Sequence, residues 1–224
     1  MYSIAIDGPS GAGKSTLAKA LAEKLGFLYV DTGAIYRTVG LYAKQNGIDP
    51  HDEKLLSEHF EKINIELVWE NKTQHVILNK TDVSDEIRTP EMSMYASAVS
   101  ALPKVREFLL QMQRSFALSY NVIMDGRDIG TVVLPKADVK IFLVADLDSR
   151  AKRRFDELTA KGKKVTLEDV KKDMEVRDRN DSERQIAPCV AAKDAVILDD
   201  SGLNLEQTVQ KAVEIVNEKI NVVL

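Results

Sequence analysis

Residues Tyr2–Leu25 read YSIAIDGPSGAGKSTLAKALAEKL, and this stretch decides the fold. Ile4-Ala5-Ile6 is a short apolar run, while Leu17, Ala18, Leu21 and Leu25 recur at helical spacing. Between strand and helix, Gly8, Gly13, Lys14 and Ser15 satisfy the phosphate-loop pattern G-x-x-x-x-G-K-[ST]. The chemistry needs these residue types. Glycines let the backbone approach a phosphate without a Cβ in the way. Successive N–H groups then line one concavity, and the following helix adds its positive dipole end. The expectation is a nucleoside triphosphate held by Gly8, Pro9, Ser10, Gly11, Ala12, Gly13, Lys14, Ser15 and Thr16. Lys14 would bring an ammonium to the outer phosphates, and the Ser15 hydroxyl would ligate Mg²⁺. The plain alternative, a glycine-rich turn before a helix, explains neither the lysine nor the hydroxyl.

Outward from the loop, strands and helices alternate. Phe27–Val30 reads as a buried strand, and Asp31–Arg37 as its turn into a helix with Ile35, Val39, Tyr42 and Ala43 on one face. Asn121–Asp125, Val139–Leu143 and Ala195–Leu198 are further strands, and Leu205, Val209, Val213, Val216 and Ile220 mark a covering C-terminal helix. This order predicts an α/β, P-loop NTPase-like three-layer fold, with a parallel five-stranded sheet flanked by helices. Ligands in such sheets sit beyond the carboxyl ends of the strands, which is where Asp7, Asp31 and Arg37 fall. From Ile63 to Val83 the period changes to two, with Glu70-Asn71-Lys72 as a turn, so a small antiparallel hairpin is inserted there. Pro90–Leu118 reads as helix broken at Pro103. Neither a linker nor a repeat interrupts the 224 residues, and one domain spanning 1–224 is expected, with its insert at about 60–90.

A hydrophobic fraction of 44% with 29% charged residues describes an ordinary globular chain. Its net charge of -4 and pI near 5.5 make it a poor electrostatic match for nucleic acid. The single cysteine, Cys189, cannot form an internal disulfide, and His51, His59 and His75 have no metal-ligand spacing. No apolar run is long enough to span a membrane, and the N-terminus enters its first strand at once, leaving no room for a signal peptide. A cytoplasmic monomer without membrane or nucleic-acid partners is the expectation.

Two classes of function compete, a phosphotransferase and a nucleotide-hydrolysing switch. Asn79-Lys80-Thr81-Asp82 matches N-K-x-D, the guanine-reading motif of GTPases. The D-x-x-G segment that should precede it is missing, and an Asn/Asp-rich stretch closing a strand is ordinary turn chemistry. Arginines favour the transferase. Arg37, Arg88, Arg106, Arg127, Arg150, Arg153, Arg154, Arg177 and Arg184 exceed what hydrolysis needs and suit two phosphorylated ligands. Phosphate-loop kinases of shikimate, dephospho-coenzyme A and other small molecules share the loop, so these residues alone leave the acceptor open.

Four segments carry a family resemblance: Ile6–Thr16, Asp31–Arg37, Asp125-Gly126-Arg127-Asp128-Ile129-Gly130-Thr131 and Arg177-Asp178-Arg179-Asn180-Asp181. Together with the β insert they resemble bacterial cytidylate kinases, across essentially the whole chain. The resemblance implies transfer of the ATP γ-phosphoryl group to CMP or dCMP, with Mg²⁺. It implies that Asp31, Thr32, Arg37, Ser97, Arg106, Arg127, Asp128, Arg177, Asp181 and Arg184 serve CMP. Within that set Arg37, Arg127 and Arg184 would hold the phosphate, Ser97, Arg106 and Asp128 the cytosine, and Arg177 and Asp181 the sugar. The segment Arg150–Thr166 resembles a helical lid, whose Arg150, Arg153 or Arg154 would join Lys14 and Arg127 in catalysis. Asn180 stands where relatives can carry arginine and receives no role.

Overall fold

The computed structural model describes residues 1–71, 73–160 and 162–220. In chain order these form β1 (Ser3–Asp7), α1 (Lys14–Leu25), β2 (Leu28–Asp31), α2 (Thr32–Gln45), α3 (Glu53–Ser57), β3 (Ile65–Glu70), β4 (Thr73–Leu78) and β5 (Thr81–Asp82). Then come α4 (Pro90–Ser100), α5 (Pro103–Ser119), β6 (Val122–Asp125), β7 (Val139–Val144), α6 (Leu147–Ala160), α7 (Leu167–Glu183), β8 (Val196–Asp199) and α8 (Leu205–Lys219). The chain divides into two compact units: Met1–Tyr29 with the chain from Ala117 onward, and Val30–Phe116.

The first unit is built on a parallel sheet in the order β2-β6-β1-β7-β8. Register brings the carboxyl ends of its central strands level, with Ile6 beside Asp125 and Asp7 beside Phe142. The ends of β1 and β6 therefore deliver Asp7 and Asp125 to one edge. The sheet is apolar because α1 and α8 cover one face: Ile4, Ile6, Ile123, Ile141 and Leu143 pack with Leu17, Leu21, Val213 and Val216. Burying each such side chain contributes roughly 1.5–3 kcal/mol. Start and stop signals are local. Gly13 enters α1 with φ 88°, and Gly26 ends it with its N–H on the Ala22 carbonyl. Asn204 and Gln207 form a reciprocal capping box on α8. A single π turn, Ile129–Val133, follows β6.

In the second unit, α2 and α4 pack Ile35, Val39, Met92 and Val99 into a core that also holds Ile65, Val76 and Leu78 of the insert. The expected hairpin is present as β3 against β4, and it gains a third short strand, β5. Its turn places Asn71 at φ 49°, whereas Lys72 lies outside the described residues. Trp69 meets Phe116 edge-on at 5.3 Å, a packing contact within this unit. The helical stretch breaks where Pro103 opens α5, and Thr89 caps α4 with Pro90 in its first turn. Of the loop at Lys161–Lys164, Lys161 lies outside the described residues.

Candidate active site

The phosphate loop is held open by its backbone. Gly8 adopts φ 148°, and a Cβ there would overlap the Leu143 carbonyl oxygen. Lys14 is only 6% exposed, and its Nζ donates to the Pro9 carbonyl at 2.6 Å. Burial, with the nearby Arg127 guanidinium, lowers its pKa to about 7 against the opposing pull of Asp125. Beside it, Ser15 Oγ donates to Asp125 Oδ2 at 2.7 Å, and the Tyr29 hydroxyl donates to Asp125 Oδ1 at 2.9 Å. Asp125 closes β6, and the sequence alone assigns it no role. The signal was available: an apolar run, Val122-Ile123-Met124, ending in an aspartate next to the loop's strand.

The loop's tip is gripped by α6 and α7. Ser10 donates its N–H to Asp178 Oδ1 at 2.9 Å, and its carbonyl accepts from Arg150 Nη1 at 2.8 Å. Arg150 and Asp178 pair at 2.5 Å, Arg150 Nε reaches the Ala145 carbonyl, and Arg177 Nη1 donates to Ser10 Oγ. Thus the three arginines expected of a lid are not equivalent. Arg150 is buried and braces the loop. Arg153 pairs with Asp200 at 3.0 Å, and a methyl group on Gly13 would lie 3.8 Å from Arg153 Nη1. Arg154 pairs with Glu157 along its own helix at 2.7 Å.

Five acceptor candidates lie in this first unit. Arg127 Nε donates to Asp181 Oδ2 at 2.9 Å, and Arg184 Nη2 donates to Asp128 Oδ1 at 3.3 Å. Burial pushes the Asp181 carboxyl up, but Arg127, Arg177 and Arg184 outweigh it and hold the group below its ordinary range. Asp7 fixes the segment after Asp128, accepting from Ile129 N–H at 2.8 Å and Gly130 N–H at 2.7 Å. Cys189 donates its N–H to the Asp181 carbonyl, and burial pushes its thiol up, as suits a small filler.

The second unit holds Asp31, Thr32, Arg37, Ser97 and Arg106. Asp31 caps α2 through Ala34 N–H, pairs with Arg37 at 2.9 Å and lies 3.9 Å from Arg88. Gln74 of β4, unremarked in sequence, accepts from Asp31 N–H at 2.9 Å. Buried Arg37 Nε has no hydrogen-bond partner among the described residues, so this guanidinium carries donor capacity beyond Asp31. Arg106 donates to the Ser100 carbonyl at 3.1 Å and lies 5.6 Å from the Tyr36 ring centroid, while Ser100 Oγ donates to the Ser97 carbonyl. Here the N-K-x-D segment is turn chemistry: Asn79 and Lys80 take positive φ between β4 and β5. The Asn79 amide bonds Asn64 N–H and the Lys62 carbonyl, and Asp82 pairs with His75.

Among the described residues there is no cluster of three or more His, Cys, Asp or Glu fit for a metal. No helix among them is long and apolar enough to cross a membrane.

Comparison with known proteins places these features in a family. The family model described as cytidylate kinase matches residues 4–218. A cytidylate kinase of Leuconostoc mesenteroides is 48% identical over 220 residues, covering 98% of both chains. One from Caldicellulosiruptor bescii is 49% identical over 212 residues, covering 95% of this chain and 94% of the relative. Among solved structures, an uncharacterized protein from Eubacterium ventriosum superposes with TM-score 0.54 over 97% of this chain and 99% of its own, at 11% identity, a likeness of fold alone. Spanning the loop, the Asp125–Asp128 segment and the α7 arginines alike, these matches show that the chain belongs to the cytidylate kinase family.

Proposed function

We propose that the chain transfers the γ-phosphoryl group of ATP to CMP or dCMP, giving ADP with CDP or dCDP. One observation carries the choice of acceptor: the family match runs unbroken through residues 4–218, so every segment assigned to either nucleotide falls inside it. The chain would act as one kinase domain, 1–224, monomeric and cytoplasmic, with its insert at about 60–90 on the acceptor side and a lid at about 150–166.

The residues present fit Mg²⁺. Ser15 Oγ and Asp125 Oδ2 are hard oxygen donors converging within 2.7 Å, and a magnesium site needs few protein ligands when phosphates supply the rest. Bound there, Mg²⁺ would neutralise charge on the β- and γ-phosphates. Lys14 adds a positive charge at the outer phosphates, and an anion beside it restores the protonation that burial costs. Arg127, Arg37 and Arg184 would orient the acceptor phosphate by bidentate contacts. A phosphate monoester has a second pKa of about 6 and is already anionic at pH 7, so no general base is needed. The barrier falls by alignment and by charge placed where it develops. Ser97, Arg106 and Asp128 would read cytosine. An ionised Asp128 only accepts hydrogen bonds, which suits the 4-amino group and repels the carbonyl of uracil. Arg177 and Asp181 would hold the sugar, and Arg153 or Arg154 would close on the ATP phosphates.

Coupled ADP production with CMP, dCMP, UMP, AMP and shikimate as acceptors tests this reading. CMP and dCMP should give turnover and the others little. Phosphate release without any acceptor would show a hydrolysing switch instead.

A further inference from the structure

Asp125 is gripped from two sides, and the phosphate loop supplies only one of them. Ser15 Oγ meets Oδ2 at 2.7 Å, and the Tyr29 phenol meets Oδ1 at 2.9 Å. The aspartate is 4% exposed and Tyr29 7% exposed, so neither group is positioned by solvent. Tyr29 belongs to the apolar cluster containing Leu17 and Ile123, which fixes where its ring points. Lys19 Nζ lies 5.7 Å from the ring centroid, within reach of a cation–π contact that also holds the ring in place.

The carboxylate torsion of aspartate is broad and settles in no sharp well. A single contact to Ser15 leaves the plane of the group to turn about that contact. A second donor on the opposite oxygen fixes the plane. We infer that Tyr29 is a positioning residue for the divalent cation that accompanies the nucleotide, setting the Asp125 carboxylate so that its other oxygen stays aligned with Ser15. The inference rests on the metal-dependent reading above. Groups that orient a metal's partners from behind typically change metal affinity by about 10–100-fold. Were Tyr29 only core filling, its hydroxyl would have no bearing on the cation.

Tyr29→Phe separates the two, because it keeps the ring and its packing and deletes only the donor. Binding of a fluorescent ATP analogue is titrated with Mg²⁺, and measured again in EDTA, for parent and variant. The Mg²⁺ concentration giving half of the affinity gain should rise about tenfold in the variant. Its affinity in EDTA should stay within about twofold of the parent, its KM for CMP should be unchanged, and its melting should remain cooperative. A Mg²⁺ titration that does not shift overturns the inference, and so does an equal loss with and without metal, which would mean general damage to the loop. A parent whose ATP binding ignores Mg²⁺ overturns the metal reading as well. An unshifted variant beside a Mg²⁺-dependent parent overturns the role of Tyr29 alone.

Discussion

Lys14 joins function to a cost in stability. Its ammonium is buried on the Pro9 carbonyl, and burial with Arg127 nearby brings its pKa down to about 7 from an ordinary 10.5. Keeping Lys14 charged therefore destabilises the fold below pH 7 and has no effect above pH 10.5, where both states are neutral. Between these values the unfolded chain binds the extra proton, so this group makes stability rise with pH. Lys14→Met keeps the apolar stem and removes the charge. Urea unfolding should show the variant more stable than the parent at pH 6, with the gap closing toward pH 10. A constant gap would mean that the ammonium is not desolvated. Turnover of the same variant should fall about a thousandfold or more, since charge aimed at a transferring group is usually worth several kcal/mol. Retention within tenfold would refute the role given to the lysine. Asp128 is tested at the same scale. Asp128→Asn should narrow the CMP-to-UMP ratio of kcat/KM by about tenfold, or roughly 1.4 kcal/mol, because an amide can present either a donor or an acceptor. If both substrates weaken together, Asp128 braces Arg184 and does not read the base.

At the scale of elements, what could be read early was whatever is local. The loop, its strand and α1 are written in one run of residues, and the capping of α2, α4 and α8 uses side chains within three positions of the helix start. The insert announced itself by its period, since Val76 and Leu78 alternate inward along β4. Contacts between distant segments were illegible for the opposite reason. Asp7 reaches Ile129 and Gly130 across 122 and 123 positions, and no periodicity encodes that approach. Likewise Arg150, Arg153 and Arg154 read as equals, because sequence spacing on a helix does not say which turn faces the loop; only the packing of α6 against α7 turned Arg150 toward Ser10. The Asp7 clasp has its own test. Burial raises its pKa to about 6 against the two amide bonds that stabilise its charge. Both carboxylate oxygens accept, whereas asparagine offers one acceptor and sets a donor against the second N–H. Asp7→Asn should therefore speed amide exchange at Ile129 and Gly130 by tenfold or more relative to β7, which serves as the internal reference. Unchanged exchange at those two amides would show that the π turn holds itself.

Over the whole molecule, the residues proposed for the two nucleotides are distributed differently. Every group assigned to ATP, from Gly8–Thr16 to Arg153 and Arg154, belongs to the first unit, as does Arg150, which braces the loop. The acceptor set is divided, with Asp31, Thr32, Arg37, Ser97 and Arg106 in the second unit and Arg127, Asp128, Arg177, Asp181 and Arg184 in the first. Ligand binding stabilises what it touches, by about 2.7 kcal/mol at a hundredfold excess over Kd. Amides that open locally without touching the ligand are unaffected. Hydrogen exchange with one nucleotide at a time thus reads the assignments independently of catalysis. A non-hydrolysable ATP analogue with Mg²⁺ should slow exchange at Gly8–Thr16 and in α6, and leave the start of α2 and the Ser97–Arg106 stretch unchanged. CMP alone should slow exchange at the Asp31-capped start of α2, around Ser97–Arg106 and at Arg127–Gly130. Protection by CMP confined to the first unit would strip Arg37, Ser97 and Arg106 of their roles, and the cytosine would then have to be read by Asp128 without them.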